Sequence, residues 1–185
     1  MRIIAGKAGR LAIRVPAAVA RPTTDFVRQA VFSILGSRVE GARVLDLFAG
    51  SGALGLEALS RGAASCCFVD SHRQAVAVIG ENLAKSRLEG GRVVRAEVAA
   101  FLRRDAGSYD LAFADPPYVK GVGDTDHIAA LLAGGHLRLR LAAGGWLVAE
   151  MGAHSASPQA EGWDLADRRE YGGCAILLYA PVVST

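Results

Sequence analysis

The fold is decided by one stretch in the first third of the chain, Arg43-Val44-Leu45-Asp46-Leu47-Phe48-Ala49-Gly50-Ser51-Gly52-Ala53-Leu54-Gly55. It begins with the short apolar run of a buried strand and continues through a glycine-rich turn into a helix over 54–59. Gly50, Gly52 and Gly55 have the spacing G-x-G-x-x-G, which lets a chain turn tightly and approach a ligand at a helix N-terminus. The stretch therefore predicts the first strand–turn–helix unit of an α/β domain.

The same alternation continues through the rest of the chain. Apolar runs at 64–69, 92–96, 109–114 and 146–149 are separated by helical stretches at 72–87, 98–104 and 126–141, the last interrupted by Gly134-Gly135. A further helix, with apolar positions Val27 to Leu35 on one face and Thr23 or Thr24 as its cap, precedes Gly36. Continuous apolar strands between helices predict a mostly parallel sheet covered on both faces.

The C-terminal part of the chain departs from this alternation. Two strand-like segments, 163–171 and 174–180, are joined only by Gly172-Gly173, which is typical of an antiparallel hairpin. A seven-stranded, mostly parallel sheet that ends in such a hairpin is typical of class I S-adenosylmethionine-dependent methyltransferases. We therefore predict this Rossmann-like α/β fold.

The N-terminal segment is expected to form a small basic β-hairpin, with strands at 3–5 and 11–15. Positive charge is concentrated there, because no acidic residue precedes Asp25, although the net charge of the chain is only +3. A basic arm suits a polyanion such as RNA, while a simple solvated hairpin explains it about as well. We divide the chain into this extension, residues 1–20, and a methyltransferase domain, residues 21–185.

Length and composition place limits on the class of protein. The 185 residues, 51% of them hydrophobic, are enough for one domain with a sizeable core. The three cysteines are odd in number and lack ligand-like spacing, so neither disulfides nor a metal site is expected. No apolar stretch is long enough to span a membrane, and we expect a cytoplasmic protein.

Acidic residues at the strand ends indicate which cofactor the domain binds. The glycine spacing also fits a dinucleotide, but Asp46 would repel a pyrophosphate and instead suits the cationic end of S-adenosylmethionine. Asp70 follows the next strand, 20 residues after Gly50, and is expected to bind the ribose hydroxyls. Asp70-Ser71 could also cap the following helix, and the two roles could coexist. The loop residues expected to contact the cofactor are Phe48, Ala49, Gly50, Ser51 and Gly52.

The end of the third strand is the expected adenine site. Methyltransferases of this architecture commonly hold adenine there through an acidic or amide side chain and a backbone N–H. Glu97 and Val98 occupy this position. A surface glutamate in the first turn of a helix is an equally good reading of Glu97.

The motif that indicates the chemistry is Asp115-Pro116-Pro117-Tyr118, directly after an apolar strand. This [DN]-P-P-[YF] signature is typical of enzymes that methylate an exocyclic base amine, whose nitrogen is a poor nucleophile. The Asp115 carboxylate and the Pro116 carbonyl can accept the two amine hydrogens, and Tyr118 can stack on the extruded base. We predict these four residues as the catalytic set, with no metal ion required.

Taken together, the motifs resemble the RsmD family, bacterial 16S ribosomal RNA (guanine-N2)-methyltransferases. The resemblance runs essentially from end to end and is carried by the segments Arg2 to Gly6, Arg21-Pro22-Thr23-Thr24-Asp25, Asp46 to Arg61 and Asp115 to Tyr118. It implies methylation of the N2 amine of a guanine in the small subunit, with 16S ribosomal RNA in an assembled subunit as partner. We further expect a monomer that binds no membrane.

The resemblance places a further segment near the cofactor or the target base. Thr23 and Thr24 match positions expected to line the cofactor pocket, with helix capping as the alternative. The residues expected to contact RNA are Arg2, Lys7, Arg10, Arg21, Arg28 and Lys120. Two positions depart from the family, which has Arg where Phe26 stands and Glu where Gln29 stands, so one basic RNA contact is expected to be missing.

Three other functions fit parts of the sequence. A DNA adenine-N6 or cytosine-N4 methyltransferase would use the same Asp-Pro-Pro-Tyr motif, but the chain has little room for a target-recognition domain. An NAD-dependent oxidoreductase would leave Asp46 and that motif without a purpose. A catalytically silent RNA-binding assembly factor would retain the fold and bind the cofactor without transferring its methyl group.

Overall fold

The computed structural model describes residues 1–16, 24–118 and 123–182 and contains one seven-stranded sheet. The strands lie in the order β3-β2-β1-β4-β5-β7-β6, and β7 alone is antiparallel to its neighbours. The predicted class I methyltransferase fold is therefore confirmed. The strands are β1 (Arg43–Leu47), β2 (Ser65–Asp70), β3 (Gly91–Arg95), β4 (Tyr109–Ala114), β5 (Leu141–Gly152), β6 (Trp163–Tyr171) and β7 (Cys174–Pro181).

Helices cover both faces of the sheet. One apolar cluster joins the sheet to α1 (Asp25–Leu35), α2 (Ala53–Ser60) and α3 (Arg73–Ser86), and the other joins it to α4 (Val98–Arg104), α5 (His127–Ala133) and α6 (His136–Arg140). Successive residues of a strand enter opposite clusters, so Val44 packs on the first and Leu45 on the second. A strand buried on both faces needs a continuous apolar run, as the sequence has.

The interruption predicted at Gly134-Gly135 is confirmed, and the start of β5 differs from the prediction. The helical stretch expected over 126–141 is divided into α5 and α6, because Gly135 takes a left-handed conformation with φ of 67° between them. Leu141 then begins β5 rather than ending a helix. That strand is longer than the expected run at 146–149, since its first part pairs with Tyr109 before a shift in register.

The N-terminal segment returns on itself but forms less sheet than predicted. It contains a single antiparallel bridge, between Arg2 and Ala12, in place of two full strands. Backbone hydrogen bonds still join its two arms, since the Ile3 amide donates to the Leu11 carbonyl and the Ile13 amide donates to the Met1 carbonyl. Other backbone amides bond to the helices, since Ile4 and Ala5 donate to the Glu57 carboxylate and Arg14 donates to Asn82. The predicted domain boundary at residue 20 lies outside the described residues.

Close contact with α2 fixes the tip of this segment. The Lys7 amide donates to the Ser60 carbonyl over 2.7 Å, and the Ser60 hydroxyl donates to the Ala5 carbonyl. A side chain at Gly6 would place its Cβ 1.9 Å from that Ser60 oxygen, so only glycine fits. Ile3 and Ile13 are buried in the α1–α3 cluster. The segment is therefore packed into the core of the domain.

The three cysteines, Cys66, Cys67 and Cys174, are buried free thiols. Among the helices of the described residues, none combines the length and the apolar character needed to cross a bilayer.

Candidate functional site

The predicted site residues meet where the chain reverses its direction of travel across the sheet. From β1 the chain moves outward to β2 and β3, and it then returns to place β4 on the other side of β1. Open α/β sheets bind their ligands at this switch point, beyond the carboxyl ends of the strands. Leu47 pairs with Ala114, so Phe48 and Asp115 leave the sheet side by side.

Asp46, near the end of β1, bonds the first turn of α2, directly after the glycine-rich loop. Gly52 is the N-cap of α2 and has no side chain to bond the first amides of the helix. The Oδ2 atom of Asp46 accepts a hydrogen bond of 3.0 Å from the Gly55 amide in that first turn. A carboxylate beside a helix N-terminus also has a favourable interaction with the helix dipole. Asp46 therefore fixes the start of α2 in addition to its predicted contact with the cofactor.

Gly55 has a packing role. A Cβ at this position would lie 2.3 Å from a ring carbon of Phe68 and 2.5 Å from Sγ of Cys66, both on β2. The absence of a side chain lets α2 pack closely on the sheet and brings the glycine-rich loop to the edge of the strands.

Asp70 bonds the other side of the loop. Its Oδ2 atom accepts from the Gly50 amide over 2.9 Å, and its Oδ1 atom accepts from the His72 amide over 2.8 Å. The capping alternative for Asp70 is wrong, because α3 begins at Arg73 with His72 as its N-cap. Contact of Asp70 with a ribose stays a prediction, and carboxylate oxygens have further lone pairs for it.

Phe48 adopts an unusual backbone conformation at the centre of the site. Its φ of 58° lies in the left-handed region, which costs a bulky residue free energy. The ring packs against His127 at the start of α5, with ring centroids 5.3 Å apart. The loop is thus supported from the α4–α6 side by Phe48 and from the α1–α3 side by Asp46.

Three acidic side chains, Asp46, Asp70 and Asp115, lie close enough at this edge of the sheet to interact electrostatically. Burial raises the pKa of Asp46 well above its ordinary value, and the nearby charges of Asp115 and Asp70 raise it further. The ionised form of Asp46 therefore lacks a nearby counter-charge strong enough to offset its burial. A ligand with a positive charge would supply one, whereas a pyrophosphate would add to the repulsion.

The Asp115 to Tyr118 tetrapeptide follows β4 beside this loop. Pro116 is buried and Pro117 is exposed, while the half-buried Tyr118 donates a hydrogen bond of 2.6 Å from its hydroxyl to Oε1 of Glu150. Burial and the Glu150 carboxylate both raise the pKa of Tyr118, so its hydroxyl remains protonated and acts as the donor. The Tyr118 side chain is therefore held by β5.

Sequence reasoning missed Glu150. This residue is only 8% exposed and lies near the end of β5, two strands from β1. The signal in the sequence is an acidic residue directly after the apolar run 146–149, at the carboxyl end of a predicted strand. The same signal identified Asp46, Asp70 and Asp115.

Glu97 lies at the expected place but without a described contact that identifies its role. It is exposed and occupies the N-cap position of α4 without a side-chain cap, and Val98 beside it is buried. The binding of adenine by Glu97 and Val98 stays a prediction. For Thr24 the capping alternative is confirmed, because its Oγ1 atom accepts from the Val27 amide over 3.3 Å.

The predicted RNA contacts divide into exposed and buried side chains. Arg2, Lys7 and Arg10 are exposed, and Arg2 pairs with Asp25 over 3.0 Å. Arg28 is 0% exposed and donates to the Arg2 carbonyl and the Asp25 carboxylate. The prediction that Arg28 contacts RNA is therefore wrong, since this side chain ties α1 to the N-terminal segment. Arg21, Thr23 and Lys120 lie outside the described residues.

Within residues 1–16, 24–118 and 123–182, no three His, Cys, Asp or Glu side chains are grouped so that they could hold a metal ion.

Comparisons with known proteins agree on one family. The model described as "Conserved hypothetical protein 95" matches residues 1–180. A Bacillus subtilis protein named "Putative rRNA methyltransferase YlbH" is 36% identical over 97% of this chain and 98% of its own length. The Escherichia coli (strain K12) protein "Ribosomal RNA small subunit methyltransferase D" is 39% identical over 66% of this chain and 62% of its own length.

Solved structures give the same result. The structure of "Putative methyltransferase yhhF from Escherichia coli" has a TM-score of 0.84 and 32% identity, and the match covers 98% of this chain and 97% of the other. The similarity therefore includes the N-terminal segment and the antiparallel end of the sheet.

Proposed function

This chain belongs to the RsmD family, whose model is described as Conserved hypothetical protein 95, and from that premise we propose that it methylates the N2 amine of a guanine in 16S ribosomal RNA. It is an S-adenosylmethionine-dependent ribosomal RNA methyltransferase. Membership of this family argues against the alternative function of an NAD-dependent oxidoreductase. We further propose that the substrate is an assembled small subunit and that the protein acts as a monomer in the cytoplasm.

The residues present fit the cofactor. Asp46 is a buried carboxylate whose pKa is raised by burial and by two neighbouring carboxylates, and a cationic ligand would stabilise its charged form. The loop from Phe48 to Gly52 would pass close to that ligand, with Asp70 near the ribose and Glu97 and Val98 near the adenine. When bound, S-adenosylmethionine supplies an electrophilic methyl group on a positively charged sulfur.

The observation that carries the proposal is the position of Asp115-Pro116-Pro117-Tyr118, immediately beside the glycine-rich loop. The guanine amine shares its lone pair with the ring, so it must be held in line with the methyl group. The Asp115 carboxylate and the Pro116 carbonyl accept its two hydrogens and stabilise positive charge as the N–C bond forms. Asp115 can then take the proton that the methylated amine loses.

The first experiment measures transfer of labelled methyl from S-adenosylmethionine to small subunits that lack the modification. Digestion to nucleosides and mass spectrometry should give N2-methylguanosine. Label on duplex DNA instead would favour a DNA amine methyltransferase. Measurable cofactor binding without label on subunits, naked ribosomal RNA or DNA would favour a silent assembly factor.

A substitution tests the role of Asp115. Asp115→Ala should lower kcat by a factor of about 100 to 1,000 while it leaves cofactor affinity nearly unchanged, because the lost contact acts on the amine. Asp110→Ala is the matched control, since Asp110 lies on the same strand but pairs with Arg43 at the surface. Wild-type turnover by the Asp115 variant would contradict the mechanism.

A further inference from the structure

We propose that Phe26 and Tyr171 form a stacking site for an unpaired base of the RNA, adjacent to the target guanine. This inference deepens the proposed function and rests on it, since it presupposes an RNA substrate. Bases next to an extruded nucleotide lose a stacking neighbour, and aromatic side chains provide a substitute that tolerates any base.

The first observation is the exposure of Phe26. It lies in the first turn of α1 and is 69% exposed, although burial of such a ring would normally be favourable. Its one described aromatic neighbour is Tyr171, with ring centroids 5.9 Å apart and an interplanar angle of 78°. This edge-on contact orients the rings while most of the Phe26 surface stays in water.

The second observation is the location of the pair. Tyr171 ends β6 and pairs with Cys174 across the turn to β7, and Cys174 in turn pairs with Gly152 at the end of β5. Glu150, which bonds the Tyr118 hydroxyl, lies two residues before Gly152 on the same strand. The aromatic pair is therefore at the same edge of the sheet as Tyr118, on the α1 side.

The third observation is the charge around the rings. Arg2 lies beside the start of α1, bonded to Asp25, and Arg169 on β6 contacts both Asp167 and Tyr171. Both guanidinium groups are exposed, and surface ion pairs of this kind are weak enough to exchange partners. Aromatic rings flanked by cations are the combination that binds single-stranded RNA through its bases and phosphates.

The test uses fluorescein-labelled single-stranded RNA of about 12 nucleotides with a mixed sequence, and a second oligonucleotide of the same length in which the bases are removed from the central positions. Loss of one stacking contact should weaken binding of the first RNA to Phe26→Ala by about 5- to 100-fold. Phe26→Trp retains a stacking surface and should bind nearly as well as the wild type. The base-free oligonucleotide should bind wild type and Phe26→Ala equally.

Leu139→Ala is the matched control, because Leu139 is also 69% exposed but lies on α6 at the opposite edge of the sheet. It should bind both oligonucleotides like the wild type, and all variants should retain the wild-type melting temperature and S-adenosylmethionine affinity. Wild-type RNA binding by both Phe26→Ala and Tyr171→Ala would overturn the inference. This outcome is independent of methyl transfer to small subunits, whose absence from the wild-type protein would instead overturn the proposed function.

Discussion

The hydrogen bond between Tyr118 and Glu150 ties the segment from Asp115 to Tyr118 to β5. Glu150→Ala removes the acceptor, so the Tyr118 ring would lose its fixed orientation, and kcat should fall by about 10-fold. Cofactor affinity should remain unchanged, because Glu150 bonds Tyr118, which is proposed to contact the target base and not the cofactor. Single-turnover methyl transfer to small subunits measures the rate, and calorimetric titration with S-adenosylmethionine measures the cofactor affinity.

Glu150→Gln is the control for this prediction. Glutamine keeps a side-chain oxygen that can accept from Tyr118, so this variant should recover most of the lost rate. Tyr118→Phe combined with Glu150→Ala should be no slower than the slower single variant, because both changes break the same bond. Losses that multiply would show that Glu150 acts independently of Tyr118.

If Asp46 binds the cofactor as proposed, its buried charge links cofactor binding to stability. Since the pKa of Asp46 is raised in the folded state, the ionised group destabilises the fold above that pKa. The penalty shrinks as pH falls below the folded-state pKa and is gone once pH is below the ordinary pKa that the group has in the unfolded chain. Asp46→Asn removes the charge but keeps an oxygen for the Gly55 amide. It should therefore melt higher than the wild type at pH 8, with a smaller difference at pH 5, and bind S-adenosylmethionine about 10-fold more weakly or worse.

Thermal unfolding without cofactor from pH 5 to pH 8, together with calorimetric titration, tests this trade-off. Asp164→Asn provides a comparison, because Asp164 is an exposed aspartate on β6. Its melting temperature should match that of the wild type throughout the pH range. A lower melting temperature of Asp46→Asn at pH 8 would show that the Asp46 charge stabilises the fold.

Helix α2 begins at the glycine-rich loop and contacts the N-terminal segment along its length. Glu57 in the middle of α2 is 0% exposed and accepts from Ile4, Ala5 and Arg61. Glu57→Ala leaves these donors without their carboxylate, and the free energy of unfolding in urea should fall by about 3–5 kcal/mol. The loss should be accompanied by faster proteolysis within residues 1–16.

The matched substitution is Glu81→Ala. Glu81 also bonds the N-terminal segment, through Arg14, but this ion pair is at the surface. Its removal should change the free energy of unfolding by about 1 kcal/mol or less. Equal effects of the two substitutions would contradict the view that the buried carboxylate holds the segment in place.

Over the whole molecule, Lys7 and the groups proposed to carry the reaction lie at opposite ends of α2. Lys7 and Ser60 are in contact at the C-terminus of this helix, and its eight residues span about 12 Å. RNA that reaches both Asp115 and Lys7 must therefore extend along the face that carries α1 and α2. Lys7→Ala with Arg10→Ala should weaken RNA binding and reduce the slope of log K against log salt by about 1.5.

The double substitution Arg103→Ala with Arg104→Ala is the control, because it removes the same amount of charge from a different part of the surface. These two arginines are exposed at the end of α4, on the opposite face of the sheet. Their removal takes away the same charge but should leave the salt dependence of RNA binding as it is in the wild type. An unchanged slope for the Lys7 and Arg10 variant would show that the N-terminal segment does not bind phosphates.

Local patterns predicted most of the sheet and the main groups of the site. Strand β4 and helix α4 begin and end where expected, because an apolar run between turn residues has few other conformations in a packed domain. The glycine-rich turn and the Asp115-Pro116-Pro117-Tyr118 motif could also be identified from the sequence. Each is a short segment whose backbone geometry depends on its own residues. The ends of parallel strands then brought these segments together.

The errors and omissions concern contacts between residues far apart in the chain. Tyr118 and Glu150 are separated by 32 positions, Ile4 and Glu57 by 53, and Arg28 and the Arg2 carbonyl by 26. From residue type alone, Arg28 was predicted to contact RNA at the surface, and no role in the site was predicted for Glu150. Apolar periodicity and turn chemistry are properties of neighbouring residues and so fix the elements of this fold, whereas the partner of a polar side chain depends on which elements pack against it, and only the folded chain decides that.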